Sequence, residues 1–419
     1  MSRLSARWIA LAVLASLASI ARAQQTPVRG HIKGQEQYLS AAANSVSNTL
    51  GYADATATSL DLRVVGSWTV GRFGFDADYL LQAVTGDAVE LRNLLETIEP
   101  ELFADRAETQ WLPLDDTLTN REDTRAVQSL DRFSVSYTSE QWVFKLGRQA
   151  YSWGNGIVFR PLDLFDPFAP DVIDDSYKPG IDAIYTQRLF TDGSDLATLI
   201  VPRRDPATGD LANAQSSAAV KWHKFGASLQ TDLLVARDYL DTVIGLGLSG
   251  SLGQAVWRLS LVPTWLDRGG TRTSLVVNVE HAWQWQGRDL SGFLEYFRNG
   301  FGRADRGYSL DELDAELTVR LARGQVFVTG RDYIAAGLRM QLTPLLEIDP
   351  VLITNLNDLS ALALVRGSYS MTQNLSLDFG LRGGLGPDGT EFGGLRSASD
   401  RDDFVAPAGR VYLRIARYF

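Results

Sequence analysis

The chain has 419 residues, no cysteine and a formal net charge of −10. Without cysteine there is no disulfide, no thiolate metal site and no thiol nucleophile, and the chain can cross an oxidising compartment without forming wrong bridges. The acid excess argues against nucleic acid, whose binders carry basic stripes. In contrast, 37 Gly with 10 Trp, 14 Tyr and 18 Phe suit a sheet protein with tight turns and aromatic girdles.

Arg3 and Arg7 precede an apolar run over residues 8–20, and Ala21-Arg22-Ala23 places small residues where a signal peptidase needs them. That run is shorter than the about 20 residues that span a bilayer. Residues 1–23 are therefore expected to be a signal peptide, Gln24 the mature start, and residues 24–419 a single domain. No later run is long and apolar, which leaves a soluble exported protein or a transmembrane barrel.

Period-two alternation then recurs along the chain. Over residues 60–64, Asp61 and Arg63 share one face; over 73–81, Asp76 and Asp78 do. A helix is expected after Asp87, with Leu91, Leu94, Leu95 and Ile98 as its apolar stripe and Pro100 ending it. It would lie over or in the barrel mouth. Alternation returns at 227–235 (Ser228, Gln230 and Asp232 on one face) and at 314–321, where Asp314, Glu316, Thr318 and Arg320 oppose Ala315, Leu317, Val319 and Leu321. At 336–342 the polar face holds Gly337, Arg339 and Gln341; at 376–382 it holds Asp378 and Arg382 against Leu377, Phe379 and Leu381. The last segment sets Val411, Leu413, Ile415 and Phe419 on one face and Arg410, Tyr412, Arg414 and Tyr418 on the other.

A soluble sandwich has the same periodicity. Small and charged residues on the polar faces, with aromatics near segment ends, favour a barrel with a polar lumen. Short turns near 71–72, 138–141, 191–194, 224–225, 253–254, 286–288, 323–324, 343–344 and 372–374 interleave with longer connections, as periplasmic turns and extracellular loops do. One strand per interval gives an all-β, antiparallel up-and-down transmembrane β-barrel of about 18–20 strands, an even number with both termini periplasmic.

The densest segment is Gly147-Arg148-Gln149-Ala150-Tyr151-Ser152-Trp153-Gly154-Asn155-Gly156, followed by an acidic, proline-rich stretch. Glycines allow tight turns and Pro161, Pro167 and Pro170 deny a regular ladder, so residues 151–179 leave the wall. Irregular backbone at membrane depth is tolerated where it lines an aqueous cavity or is buried in protein. This loop is expected to enter and narrow the lumen, with Gln149, Arg160 and its aspartates (Asp163, Asp166, Asp171, Asp174 and Asp175) facing the path. Asp76, Asp78, Arg320, Arg339, Asp378, Arg382 and Arg414 are expected to line the pore. Both signs are nearly balanced there, so most are expected to pair across strands instead of forming a single-sign filter.

Catalytic and metal-binding patterns are weak. His31, His223 and His281 have no metal-ligand spacing, and His281 beside Glu280 is the one faint hydrolase candidate. Gly245-Leu246-Gly247-Leu248-Ser249-Gly250 matches a dinucleotide fingerprint only formally, because a strand follows it, not a helix. These glycines are expected to thin an inward face where a loop packs. Neither an enzyme nor a bound cofactor or metal is expected.

The Gly-Arg-Gln strand end with its Trp-Gly and Asp-Pro loop resembles porin-like outer-membrane barrel families of Gram-negative bacteria, and alginate-export-type barrels share the Gly-Arg-Gln. Residues 330–333, 342–346 and 355–358 resemble the last hairpins of such proteins. The terminal Phe419 on an alternating strand resembles the signal read by the barrel-assembly machinery. The resemblance implies a channel for small hydrophilic solutes, surrounded by outer-membrane lipid and lipopolysaccharide, as a homo-trimer or monomer. The alternative is a barrel component of an envelope export or assembly system, for polymer export or as a scaffold. The acidic loop is at odds with polyanion export.

Overall fold

A computed structural model describes residues 28–98, 109–174, 176–397, 403–406 and 408–419. The expected signal peptide and mature start, Pro100 and Asp175 lie outside them. The strands in chain order begin with β1 (Arg29–Ser40), β2 (Asp54–Val70), β3 (Phe73–Thr85), β4 (Asp115–Asn120), β5 (Thr124–Thr138), β6 (Trp142–Gln149) and β7 (Ile181–Leu189). They continue with β8 (Asp195–Val201), β9 (Ser217–Phe225), β10 (Leu229–Asp238), β11 (Asp241–Leu252), β12 (Ala255–Trp265), β13 (Thr271–Trp285) and β14 (Arg288–Arg298). The last are β15 (Asp332–Thr343), β16 (Leu346–Asn355), β17 (Ala361–Thr372), β18 (Leu375–Leu385), the short pair β19 (Leu395–Arg396) and β20 (Phe404–Val405), and β21 (Gly409–Tyr418).

Eighteen of these close into one antiparallel barrel, each pairing with its neighbours in sequence, and β1 seals it against β21 from His31↔Tyr418 to Ser40↔Gly409. Closure leaves no open edge, the condition for crossing lipid with strands. Inward and outward faces follow the alternation. On β10, Leu234 and Ala236 are buried while Leu233 and Val235 are exposed; on β21, Tyr412, Arg414 and Ala416 are buried while Val411, Leu413 and Ile415 are exposed. Val235 is 57% exposed, Leu294 52% and Val411 57%. A belt of such side chains is stable against hydrocarbon and costly against water. Exposed Phe73, Trp142, Phe225, Trp285 and Phe419 ring the end that carries the short turns, the start of β1 and the end of β21, and exposed Tyr38 and Trp265 lie toward the other.

The barrel has 18 strands, within the expected 18–20, and one segment read as alternating is not part of its wall. Residues 314–321 are a helix, Ala315–Ala322, in the connection between β14 and β15. Asp314 caps it by accepting from the Glu316 N–H, and Arg320 sits in its last turn. The stretch to 330 carries no strand of the wall, so the turn near 323–324 is a helix end. The helix after Asp87 forms as expected, Asp87–Ile98, and rests on the tops of β2, β3 and β5, where Tyr52 donates to Glu90 and Asn93 to the Glu122 carbonyl.

β5 carries an extra residue, Asp131, where its register against β3 shifts between Asp78↔Arg132 and Tyr79↔Leu130. Such a bulge resets which face a side chain takes. Below it β5 pairs with β6; above it β4 takes that edge, because β6 ends at Gln149 and the chain turns inward.

Candidate functional site: a loop across the lumen

Residues 150–180 connect β6 to β7 and run inside the barrel. The loop is held by apolar knobs in cavities that small wall residues leave open. Trp153, Leu162 and Phe165 pack on Ala183, Ala197, Ala219 and Ala236, the inward residues of β7 to β10. Gly245 and Gly247 of β11 complete that surface: a Cβ on Gly245 would stand 2.4 Å from Leu162, and one on Gly247 3.0 Å. On the opposite side Phe159 stacks on Phe297 with ring centroids 4.3 Å apart.

Polar ties fix the loop at three further places. Glu295 of β14, fully buried, accepts the backbone N–H groups of Ile157, Val158 and Phe159 at 2.7, 3.0 and 2.8 Å, and the Asn278 amide at 3.0 Å. Within the loop Lys178 bridges both oxygens of Asp163 at 2.7 Å. Toward β17, β18, β21 and β1, the Val172 carbonyl accepts from Arg366, Asp171 pairs with Arg382, and Asp174 pairs with Lys33 and with Arg414 at 3.1 Å. The Arg63 guanidinium lies 4.3 Å over the Tyr177 ring. Asp131, the bulge residue, accepts from Arg63 at 2.7 Å and from the Gly180 N–H at 2.9 Å where the loop rejoins the wall.

Against this geometry the expected site residues separate. Gln149 does not face a path: it is 1% exposed, donates to the Ala183 carbonyl and accepts from Tyr151. Asp163, 2% exposed and bound to Lys178, does not either. Asp166 is half-buried at φ 58° within the loop. Arg320 comes from the helix Ala315–Ala322, not from a strand, and pairs with Asp241 and Glu316. Arg160 is partly exposed, its guanidinium donating to the carbonyls of Gly156 and Ile157.

The wall charges pair mostly across strands, as expected. Asp76 meets Lys145 at 2.9 Å, Asp78 meets Arg63 at 3.5 Å, Arg339 meets Asp349 at 3.0 Å and Asp378 meets Arg414 at 3.1 Å. Arg382 is bound to the loop. The alternation left the faces of Glu295 and Arg148 unassigned, and Asp131 was missed. Arg148 is 1% exposed and pairs with Asp182 at 2.9 Å and Asp115 at 2.6 Å. His281 stacks on Trp283 on the outward side, while Glu280 turns inward to Arg258, so the faint hydrolase pair is split by the wall. Among the described residues no cluster of His, Asp or Glu could hold a metal ion.

Two cavities flank the loop. The lower, toward the short turns, has a volume of about 730 Å3 and a polar lining that includes Arg258, Glu280, Arg339, Asp349, Asp378 and Arg414. The upper, of about 90 Å3, lies between the loop and the β14–β15 connection.

No protein-family model matches the chain, and no curated protein is similar to it in sequence. Among solved structures, OccK11 (OpdR) of Pseudomonas aeruginosa aligns over 94% of this chain and 96% of its own, at 11% identity and a TM-score of 0.53. OccK3 (OpdO) of the same organism aligns over 94% and 95%, at 9% identity and a TM-score of 0.50. At these identities the likeness is one of fold, a porin-like outer-membrane β-barrel.

Proposed function

We propose that the protein is an outer-membrane channel through which small hydrophilic solutes pass passively, with residues 150–180 as the element that narrows it. The observation that carries the reading is the polar cavity of about 730 Å3 inside a closed barrel. Barrels of 16–18 strands are too wide for wall side chains to fill and leave an aqueous channel unless something enters them. Here a loop enters, tied to the wall at several points, and paired charges line the space beneath it. Diffusion through such a lumen needs no catalytic group. In this reading Phe419, bonded through its backbone to Gly30 where the barrel closes, is offered to the assembly machinery, and lipopolysaccharide surrounds the upper belt. Trimer or monomer is decided by native mass.

Liposomes carrying the purified barrel should swell in sugars, amino acids and aromatic acids, and more slowly as the solute grows. A sealed barrel that copurifies with periplasmic partners would overturn the reading in favour of an envelope-assembly component.

A further inference from the structure

The same three strands line both cavities at different heights. On β12, Val262 and Thr264 face the upper cavity and Arg258 the lower; on β13, Ser274 and Glu280 divide likewise; on β14, Phe297 and Phe293 do. The cavities are thus successive chambers separated by the loop, and the lower one extends round to Asp378 and Arg414 on β18 and β21. Four loop residues line both: Val158, Arg160, Phe168 and Pro170. Across the lumen the loop is fastened to the wall by Arg382–Asp171, by Lys33 and Arg414 on Asp174, and by Arg63 over Tyr177. Toward β12 and β14 the loop is fastened too, by Ser260 donating to Asn155 and by residues 157–159 donating to Glu295, and Ser260, Asn278 and Glu295 are buried beneath it.

We infer that the permeation path passes from one chamber to the other between the loop's two limbs, at residues 158–160 and 168–170, and that Val158, Arg160, Phe168 and Pro170 form its narrowest ring, with Phe168 setting size and Arg160 setting charge preference. Glu295 holds the backbone of residues 157–159, which keeps one side of this ring in place. Pro170 stiffens the other side. Arg160 is the one charged member of the four. Its guanidinium is held by carbonyls, and among the described residues no carboxylate forms an ion pair with it. Below the ring Arg258 is matched by Glu280 and Arg339 by Asp349, so neither adds an unbalanced charge to the path. A cation at a constriction with low-dielectric sides acts more strongly than the same charge in an open vestibule.

The inference rests on the channel reading, and one set of recordings separates the two. Because the chain has no cysteine, a single introduced thiol is the only one present. In planar bilayers, Phe168→Cys should conduct at least as well as wild type. Its current should then fall by about half or more when a bulky, membrane-impermeant thiol reagent is added, because the adduct fills the constriction. Val158→Cys provides an independent test of the same ring. Arg410→Cys, on the opposite side of the lumen, should keep its current under the same reagent. Arg160→Gln should move the reversal potential in a KCl gradient toward cations, and Arg160→Lys should restore it. Block at position 410 with none at 158 and 168 would overturn this ring and leave the channel intact. A wild-type barrel that passes no current would remove the channel reading itself.

Discussion

Glu295 accepts three consecutive backbone N–H groups from a loop far away in sequence, and its position on β14 was hidden from pattern reading. The cause lies in its neighbours. Phe293 and Phe297 share its inward face, where the inserted loop gives them apolar partners, and Leu294 faces outward, so both faces of the strand are apolar. Alternation reports burial only where one face is wet. Asp378 and Arg414, on strands bordering the lower cavity, were legible for the opposite reason. Hydrogen bonds to a charged acceptor contribute about 1.5–3 kcal/mol each. Glu295→Gln should therefore raise hydrogen exchange at the amides of residues 157–159 by about tenfold or more. Unchanged protection there would show that the apolar knobs alone hold the loop. Gly245 makes a second test, since its inward face is filled by Leu162. Gly245→Val should lower barrel stability by about 1–3 kcal/mol through overpacking, read as an earlier thermal unfolding transition, whereas Gly253→Ala in an open turn should not act through packing.

At the scale of elements, the helix Ala315–Ala322 shows where a short pattern fails. Eight residues can satisfy period two and a helical stripe at once. Leu317 and Arg320 are the buried pair, three apart as a helix places them. Local signals decided for the helix: Asp314 as cap, Glu316 in the first turn, Arg320 in the last and Gly324 just beyond. Asp314→Ala should cost this helix about 1 kcal/mol, seen as faster exchange over residues 315–322 with the wall strands unaffected. Equal exchange in both proteins would mean that Arg320–Asp241 and the packing of Leu317 hold the helix without its cap. Eight of the nine expected short turns lie at or beside real ones. Most of those turns carry a Gly, Asn or Ser, whereas the ninth marked a helix end.

For the whole molecule, closure and handed-out roles followed from regularities that repeat many times: alternation, turn spacing and aromatics near the strand ends. The loop's entry was legible from its prolines and glycines. Its direction was not, because Asp171 and Asp174 are engaged by Arg382, Lys33 and Arg414, partners distant in sequence, and Asp163 by Lys178 within the loop. In the proposed channel, a loop fastened at both its charged and its apolar faces should narrow the lumen in every state. It should not flicker like a free strap. Single-channel conductance shows whether this loop limits passage. Removing residues 163–174, with barrel folding verified by heat-modifiable gel mobility, should raise the unitary conductance well above that of the intact protein. A folded barrel with unchanged or lower conductance would contradict the account.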